Sequence, residues 1–207
     1  MGYATILDII GSIIAGGFLL LILARTNASA IQNTYNNNSD LITQQNLSTV
    51  VLLLENDFRK IGYMGDWTKA GQIDPTKAIL YADSTSIKFM GDIDNNGVMD
   101  TVYYYVGPTS ELSGTPNPND RILYRSVTST NSSNNPLTKS GNMGITQFSL
   151  AYFDDFGNQL SFPISAPGAI EEIQITLQVQ NTEAYNGQYV TSYWRQIRLA
   201  ARNLKNR

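Results

Sequence analysis

Apolar residues fill the start of the chain with few interruptions. Residues 6–24 are apolar except for Asp8, Ser12 and three glycines. As a helix rising about 1.5 Å per residue, this run would extend roughly 28 Å, close to the thickness of a bilayer core. We therefore predict a transmembrane and assembly helix over residues 1–26. A signal peptide and an internal core helix are the alternatives, but no basic residue precedes Arg25, as one would in a secretory signal.

Residues 27–65 keep helical spacing while becoming polar, and we predict that they continue the same helix as an amphipathic segment. Its apolar positions recur every three or four residues: Leu47, Val50, Val51, Leu54, Phe58 and Ile61. The poor helix formers of residues 36–39 leave a bend or short break open. Gly62 and Gly65 are expected to end the helix.

Beyond residue 74 the apolar period becomes two, which is typical of strands with one buried face. We predict strands at residues 78–83, 86–91, 101–106, 121–127, 145–153, 159–163, 170–181 and 189–204. Turn sequences at residues 95–97, 155–158 and 186–187 separate strands, and the short spacing between strands favours antiparallel pairing. Residues 107–120 and 128–144 have the composition of surface loops. The predicted fold is α+β, with the long helix packed on an antiparallel sheet in a β-rich head, residues 66–207.

The amino-acid composition argues against several classes of function. The chain has 207 residues, a net charge of −3, and neither cysteine nor histidine. The acidic balance and the lack of a basic stripe argue against nucleic-acid binding. Without cysteine there is no disulfide or thiolate metal site, and without histidine the usual general base is missing. We therefore predict a protein that is not an enzyme and has no organic cofactor.

Four residues distinguish the N-terminal helix from a simple anchor. Asp8 places a carboxylate inside the apolar run, and burial in lipid costs about 2.5–3.5 kcal/mol on insertion scales. Gly11, Gly16 and Gly17 weaken a helix but permit close approach of a second one. We interpret all four as assembly residues. The alternative is that Asp8 lies at the depth of the lipid headgroups and that the glycines have no effect on assembly.

Residues 92–100 form the one site-like constellation in the sequence. Oxygen ligands at alternate positions followed by a turn glycine are typical of calcium loops. Asp92, Asp94, Asn96 and Asp100 fill four such positions, and Val98 could offer its carbonyl oxygen. The twelfth position is Tyr103 instead of a bidentate glutamate, so any affinity for Ca²⁺ would be weak. A polar hairpin tip without an ion is the alternative.

Two other clusters have local explanations. Adjacent strand residues face opposite sides, so Tyr104 should point away from Tyr103 and Tyr105, and packing explains the run. Asp154 and Asp155 lie in a predicted turn, where aspartate is common because it bonds to nearby backbone groups. Neither cluster indicates a catalytic site.

Several short segments resemble type IV pilin-like proteins, above all the W-type minor pilins and the J-type minor pseudopilins. They are the N-terminal helix, the sequence LLENDFRKIGY at residues 53–63, the acidic hairpin at residues 92–100, and IRLAARN at residues 197–203. In that family an acid near the N-terminus neutralises the terminal amine of a neighbouring subunit. The resemblance implies this role for Asp8, although cutting after Gly2 would put it sixth instead of fifth.

The resemblance implies a structural subunit of an extracellular, type IV pilus-like filament that polymerises through its N-terminal helix. Its partners would be copies of itself or other pilins, and the bacterial inner membrane would hold it before it reaches the cell surface. A low-copy minor pilin or pseudopilin that primes assembly is one alternative. A solitary membrane-anchored binding domain is another.

Overall fold

A computed structural model describes residues 2–70, 74–129, 137–184 and 187–200. It confirms the predicted α+β fold, in which a long N-terminal helix precedes an antiparallel sheet. The helices are α1 (Gly2–Arg59) and the short α2 (Trp67–Ala70). The strands are β1 (Ile79–Ala82), β2 (Ser86–Gly91), β3 (Asp100–Val106), β4 (Arg121–Ser129), β5 (Leu137–Phe153), β6 (Glu172–Gln180) and β7 (Thr191–Ala200). The chain divides into two compact units, Met1–Ser39 and Asp40–Arg207.

The seven strands form one sheet whose order follows the sequence, and every neighbouring pair is antiparallel. Such a meander needs only short connections, which agrees with the turn sequences. Strand β6 alternates strictly between partly exposed and buried residues, with Ile173, Ile175, Leu177 and Val179 facing the core. One face of the sheet is therefore apolar and requires a covering layer.

The part of α1 that belongs to the second unit provides that layer. Val50, Leu54 and Phe58 are at most 5% exposed, at the spacing of one helix face. The Phe58 ring lies 5.5 Å from that of Phe89 on β2 and 5.7 Å from that of Tyr104 on β3. The amphipathic pattern was thus a correct guide to which side of this segment is buried.

Helix α1 ends at Arg59, and the following residues attach to the end of β2. Gly62 has a φ of 70°, and its N–H donates to the Met90 carbonyl at 2.8 Å. Gly91 passes so close to the helix end that an added Cβ would lie 2.1 Å from the Lys60 carbonyl oxygen. Glycine at both positions therefore permits the sheet to meet the helix terminus.

Two local predictions need correction. Residues 159–163 form no strand; Gln159 makes only an isolated bridge to Phe153. Residues 137–144 belong to β5 and not to a loop, because backbone pairing with β4 outweighs their polar composition. Residues 128–129 of the same predicted loop belong to β4. The prediction that the helix continues through residues 36–39 is confirmed, and the break that their composition left open is absent from α1. The described residues do not include the rest of the predicted loop (130–136), Asn186 of a predicted turn or the end of the last predicted strand (201–204).

Candidate functional site

In the first unit, α1 exposes large apolar side chains in every direction. The six consecutive residues 18–23 are all large and apolar and are between 60% and 71% exposed, and six successive positions span all faces of a helix. The helix is long and apolar enough to cross a membrane. Side chains of this kind need either lipid or another protein surface around them.

The four predicted assembly residues lie on this exposed segment. Asp8 is exposed, and in the described part of the chain it forms no ion pair. A Cβ added at Gly11, Gly16 or Gly17 would meet no described atom within 4 Å. These glycines are therefore not required by contacts within the described chain, in contrast to Gly91, and they leave room beside the helix.

The second candidate site is the acidic loop, residues 92–100, which joins β2 to β3. One carboxylate oxygen from each of Asp92, Asp94 and Asp100 lies within 4.8 Å of the other two. Asn96 joins them, because its backbone N–H donates to Asp92 Oδ1 at 3.0 Å and its side-chain amide to Asp94 Oδ2 at 2.9 Å. The fifth predicted residue, Val98, donates its backbone N–H to Asn96 Oδ1. The loop thus gathers the predicted residues at one place.

Asp92 fixes the loop to the chain that follows α1. Its Oδ2 accepts from the N–H groups of Gly65 at 3.0 Å and Gly97 at 2.9 Å, and its side chain is fully buried. Burial alone would raise the pKa of Asp92, but the surrounding N–H donors outweigh it and hold the pKa below its ordinary value. Sequence spacing could not reveal the contribution of Gly65, which lies 27 positions earlier.

A buried ion pair that sequence analysis missed ties α1 to the sheet. Asp57 on α1 is fully buried, and its two oxygens accept from Arg125 on β4 at 2.5 and 3.1 Å. The Tyr104 hydroxyl on β3 also donates to Asp57, at 2.6 Å. Burial, together with the charge of Asp57, raises the pKa of Tyr104 far above its ordinary value. This triad (Asp57, Tyr104 and Arg125) holds helix and sheet in register.

The remaining tyrosines of β3 lie on the opposite face of the sheet, as strand alternation requires. The rings of Tyr103 and Tyr105 stack at 4.8 Å, and Tyr105 stacks on Tyr124 of β4 at the same distance. Asp154 accepts from the N–H of Asn158 at 2.7 Å and so closes a local turn. Both clusters have the structural roles expected of them.

The exposed apolar helix, the amphipathic segment that follows it and the antiparallel head together define a pilin-like protein. A family model described as "Prepilin peptidase-dependent protein B" matches residues 36–198, which is most of the chain. The chain belongs to this family, and the resemblance noted from the sequence is confirmed. No curated protein matches the sequence. Family and fold indicate a pilin-like structural protein with a candidate transmembrane helix.

Proposed function

We propose that this protein is a structural subunit of an extracellular type IV pilus-like filament and polymerises through its N-terminal helix. The observation that carries the proposal is the exposure of the first unit. Tyr3 is 88% exposed, and the large apolar residues that follow, up to Leu23, are all more than half exposed. Before assembly, the lipid of the inner membrane would cover this surface. In the filament, neighbouring helices would replace the lipid.

The open space beside the glycines of the first unit supports assembly through the helix. In lipid the hydrophobic effect does not drive helices together, so association depends on close contact between them. The unobstructed surface at Gly11, Gly16 and Gly17 allows a second backbone to approach closely. Asp8 would then pair with a cation of a neighbouring subunit, its terminal amine. Pairing would offset the cost of placing a carboxylate among apolar side chains.

Microscopy of sheared cell surfaces tests the proposal directly. Antibody against the head should label fibres along their length, and fibres that lack this polypeptide would contradict it. Gly16→Leu with Gly17→Leu should abolish fibres while membrane insertion persists. Leucine favours helix more than glycine does, so a weakened helix could not explain the loss. Gly114→Leu is the matched control, because Gly114 in the head also has open space around its Cα and should tolerate the change.

The Asp8→Asn variant separates the alternatives. A filament subunit should lose assembly when the carboxylate is neutralised, whereas a solitary membrane-anchored domain should behave like the wild type. A low-copy subunit that primes assembly would also depend on Asp8, but antibody label would appear only at fibre ends. Counting the copies per fibre therefore distinguishes a major subunit from a minor pilin or pseudopilin.

A further inference from the structure

The acidic loop, residues 92–100, has the geometry of a cation site. Two ligands of one calcium ion, each at 2.3–2.6 Å from the metal, can be no more than about 5 Å apart. The three carboxylate oxygens contributed by Asp92, Asp94 and Asp100 lie within 4.8 Å of one another and satisfy this limit. All three could therefore contact a single ion without a change in the backbone path.

Asp100 supplies an independent indication that the loop takes a ligand. Its side chain is 2% exposed, and Oδ2 accepts from the backbone N–H of Ile93 at 3.1 Å. Its other oxygen, Oδ1, is buried and has no hydrogen-bond partner among the described residues. A buried carboxylate oxygen without a partner costs free energy, so Asp100 Oδ1 is expected to bind a ligand that the described residues do not supply.

The charges of the loop are also unbalanced. No lysine or arginine pairs with Asp92, Asp94 or Asp100 within the described ranges. Two described lysines bond to other groups of the loop: the ammonium group of Lys60 donates to the Ile93 carbonyl and the Asn95 side-chain oxygen, and that of Lys69 donates to the Gly97 carbonyl. Three carboxylates this close repel one another, and a divalent cation would remove that repulsion.

We propose that the acidic loop binds one Ca²⁺ ion through the carboxylates of Asp92, Asp94 and Asp100, the side-chain oxygen of Asn96 and the carbonyl of Val98. All five are hard oxygen donors, which suit Ca²⁺, and water completes the shell because Tyr103 stands where a hand-type loop has glutamate. Mg²⁺ fits less well, since it demands near-ideal octahedral geometry and gives up its waters reluctantly.

Glycine at position 97 allows the loop to close in this form. Gly97 has a φ of 77°, and its N–H donates to Asp92, while Asn95 has a φ of 59°. Asp92 also accepts from Gly65 beyond the end of α1. The ion would therefore fasten the β2–β3 connection to the segment that follows the helix, and Ca²⁺ would stabilise the folded head.

Thermal unfolding of the full chain in detergent tests the proposal. After removal of metal with a chelator, about 10 mM CaCl₂ should raise the Tm by about 3–10 °C, the shift expected when the ion is at about ten to a hundred times its Kd. Calorimetric titration should give one site with a Kd of about 10⁻⁴–10⁻³ M, the range of extracellular modules. The absence of both Ca²⁺ effects would overturn the site, and an equal response to Mg²⁺ would overturn the choice of ion.

Two variants with a matched control locate the site. Asp94→Asn changes an exposed side chain, so the head should still fold, and the Kd should rise at least tenfold. Asp100→Asn should have the larger effect on binding. Asp154→Asn is the control, because Asp154 also caps a turn but lies in another connection, and it should bind Ca²⁺ like the wild type. Unchanged Ca²⁺ binding by the folded Asp94→Asn protein would contradict the assignment.

Discussion

Helix α1 contains leucines in two different situations. Leu20, in the first unit, is 71% exposed, whereas Leu54, in the second, is fully buried against the sheet. Residue type and secondary structure are the same at both positions. The difference shows that helix formation follows from local sequence, while the cover for an apolar side chain depends on what else is present. The first unit must obtain its cover from lipid or from other helices.

The two units gain the free energy of burying leucine from different sources. Burying a leucine contributes about 1.5–3 kcal/mol relative to leaving it exposed. The head gains this from its own core, to which Leu54 belongs and in which Phe58 of α1 contacts residues of β2 and β3. The first unit gains it only in a membrane or an assembly. Substitutions in the two regions should therefore affect different measurements, head stability in one case and insertion or assembly in the other.

The largest effect on the head should come from breaking the buried ion pair. Arg125→Ala leaves the carboxylate of Asp57 buried without its main partner, and such losses cost about 3–5 kcal/mol. Urea unfolding of the detergent-solubilised chain, followed through the tyrosine and tryptophan signal of the head, measures this. Membrane insertion should be unchanged, because the substitution does not alter the first unit.

The double variant Asp57→Leu with Arg125→Leu is the control for this prediction. Removing both charges avoids an unpaired buried ion, so the double variant should be more stable than Arg125→Ala. A double variant that is as unstable as the single one would show that shape, and not charge pairing, is what the triad contributes.

A lysine placed in each half of α1 should give opposite results. Leu20→Lys should cost about 2.5–3.5 kcal/mol of membrane insertion and leave head stability unchanged. Leu54→Lys should leave insertion unchanged and destabilise the head, because a charge would be buried in its core. Carbonate extraction of membranes measures the first effect and urea unfolding the second. Leu20→Lys protein that stays fully membrane-embedded would contradict the assignment of the spanning segment.

Local periodicity was sufficient to predict most of the fold. The three- and four-residue spacing of Val50, Leu54 and Phe58 identified the buried helix face, and the alternation in β6 identified its core residues. The first part of β5 was not predicted, since Ser140 and Gly141 have the composition of a loop. Their place in the sheet comes from pairing with β4, which a single segment does not encode.

One of the two residue clusters in the head could be predicted from the sequence, and the other could not. Asp92, Asp94 and Asp100 are close in sequence, so their spacing was enough to suggest that they converge. Asp57 and Arg125 are 68 positions apart, and only the folded sheet brings them together. The position of Asp57 on the predicted apolar face, between Leu54 and Ile61, is a sequence signal that could have prompted the search for a basic partner.

A smaller loss of stability is expected from Tyr104→Phe. The substitution keeps the ring that packs on Phe58 but removes the hydroxyl that donates to Asp57. Hydrogen bonds to charged groups contribute about 1.5–3 kcal/mol, and the loss should be near the lower end because Arg125 still pairs with the carboxylate. Urea unfolding measures the change, and Tyr103→Phe, on the opposite face of the sheet, is the matched control with little expected effect. Equal losses in the two variants would contradict the role given to the hydroxyl.

The smallest effect, and the only one expected to increase stability, concerns Asp120 in the head. Its carboxylate is 1% exposed, and neither oxygen has a partner in hydrogen-bonding geometry among the described residues. Burial raises the pKa of Asp120, although the nearby side chains of Thr115 and Asn142 oppose the rise.

Because folding raises the pKa of Asp120, protonation of its carboxyl group stabilises the folded state. This contribution is lost as the pH rises through the folded-state pKa. Asp120→Asn should therefore stabilise the head by about 1 kcal/mol at pH 7, and the gain should shrink as the pH falls toward the ordinary pKa of aspartate. Urea unfolding at several pH values measures the difference, and a gain that grows on acidification would contradict this account of Asp120.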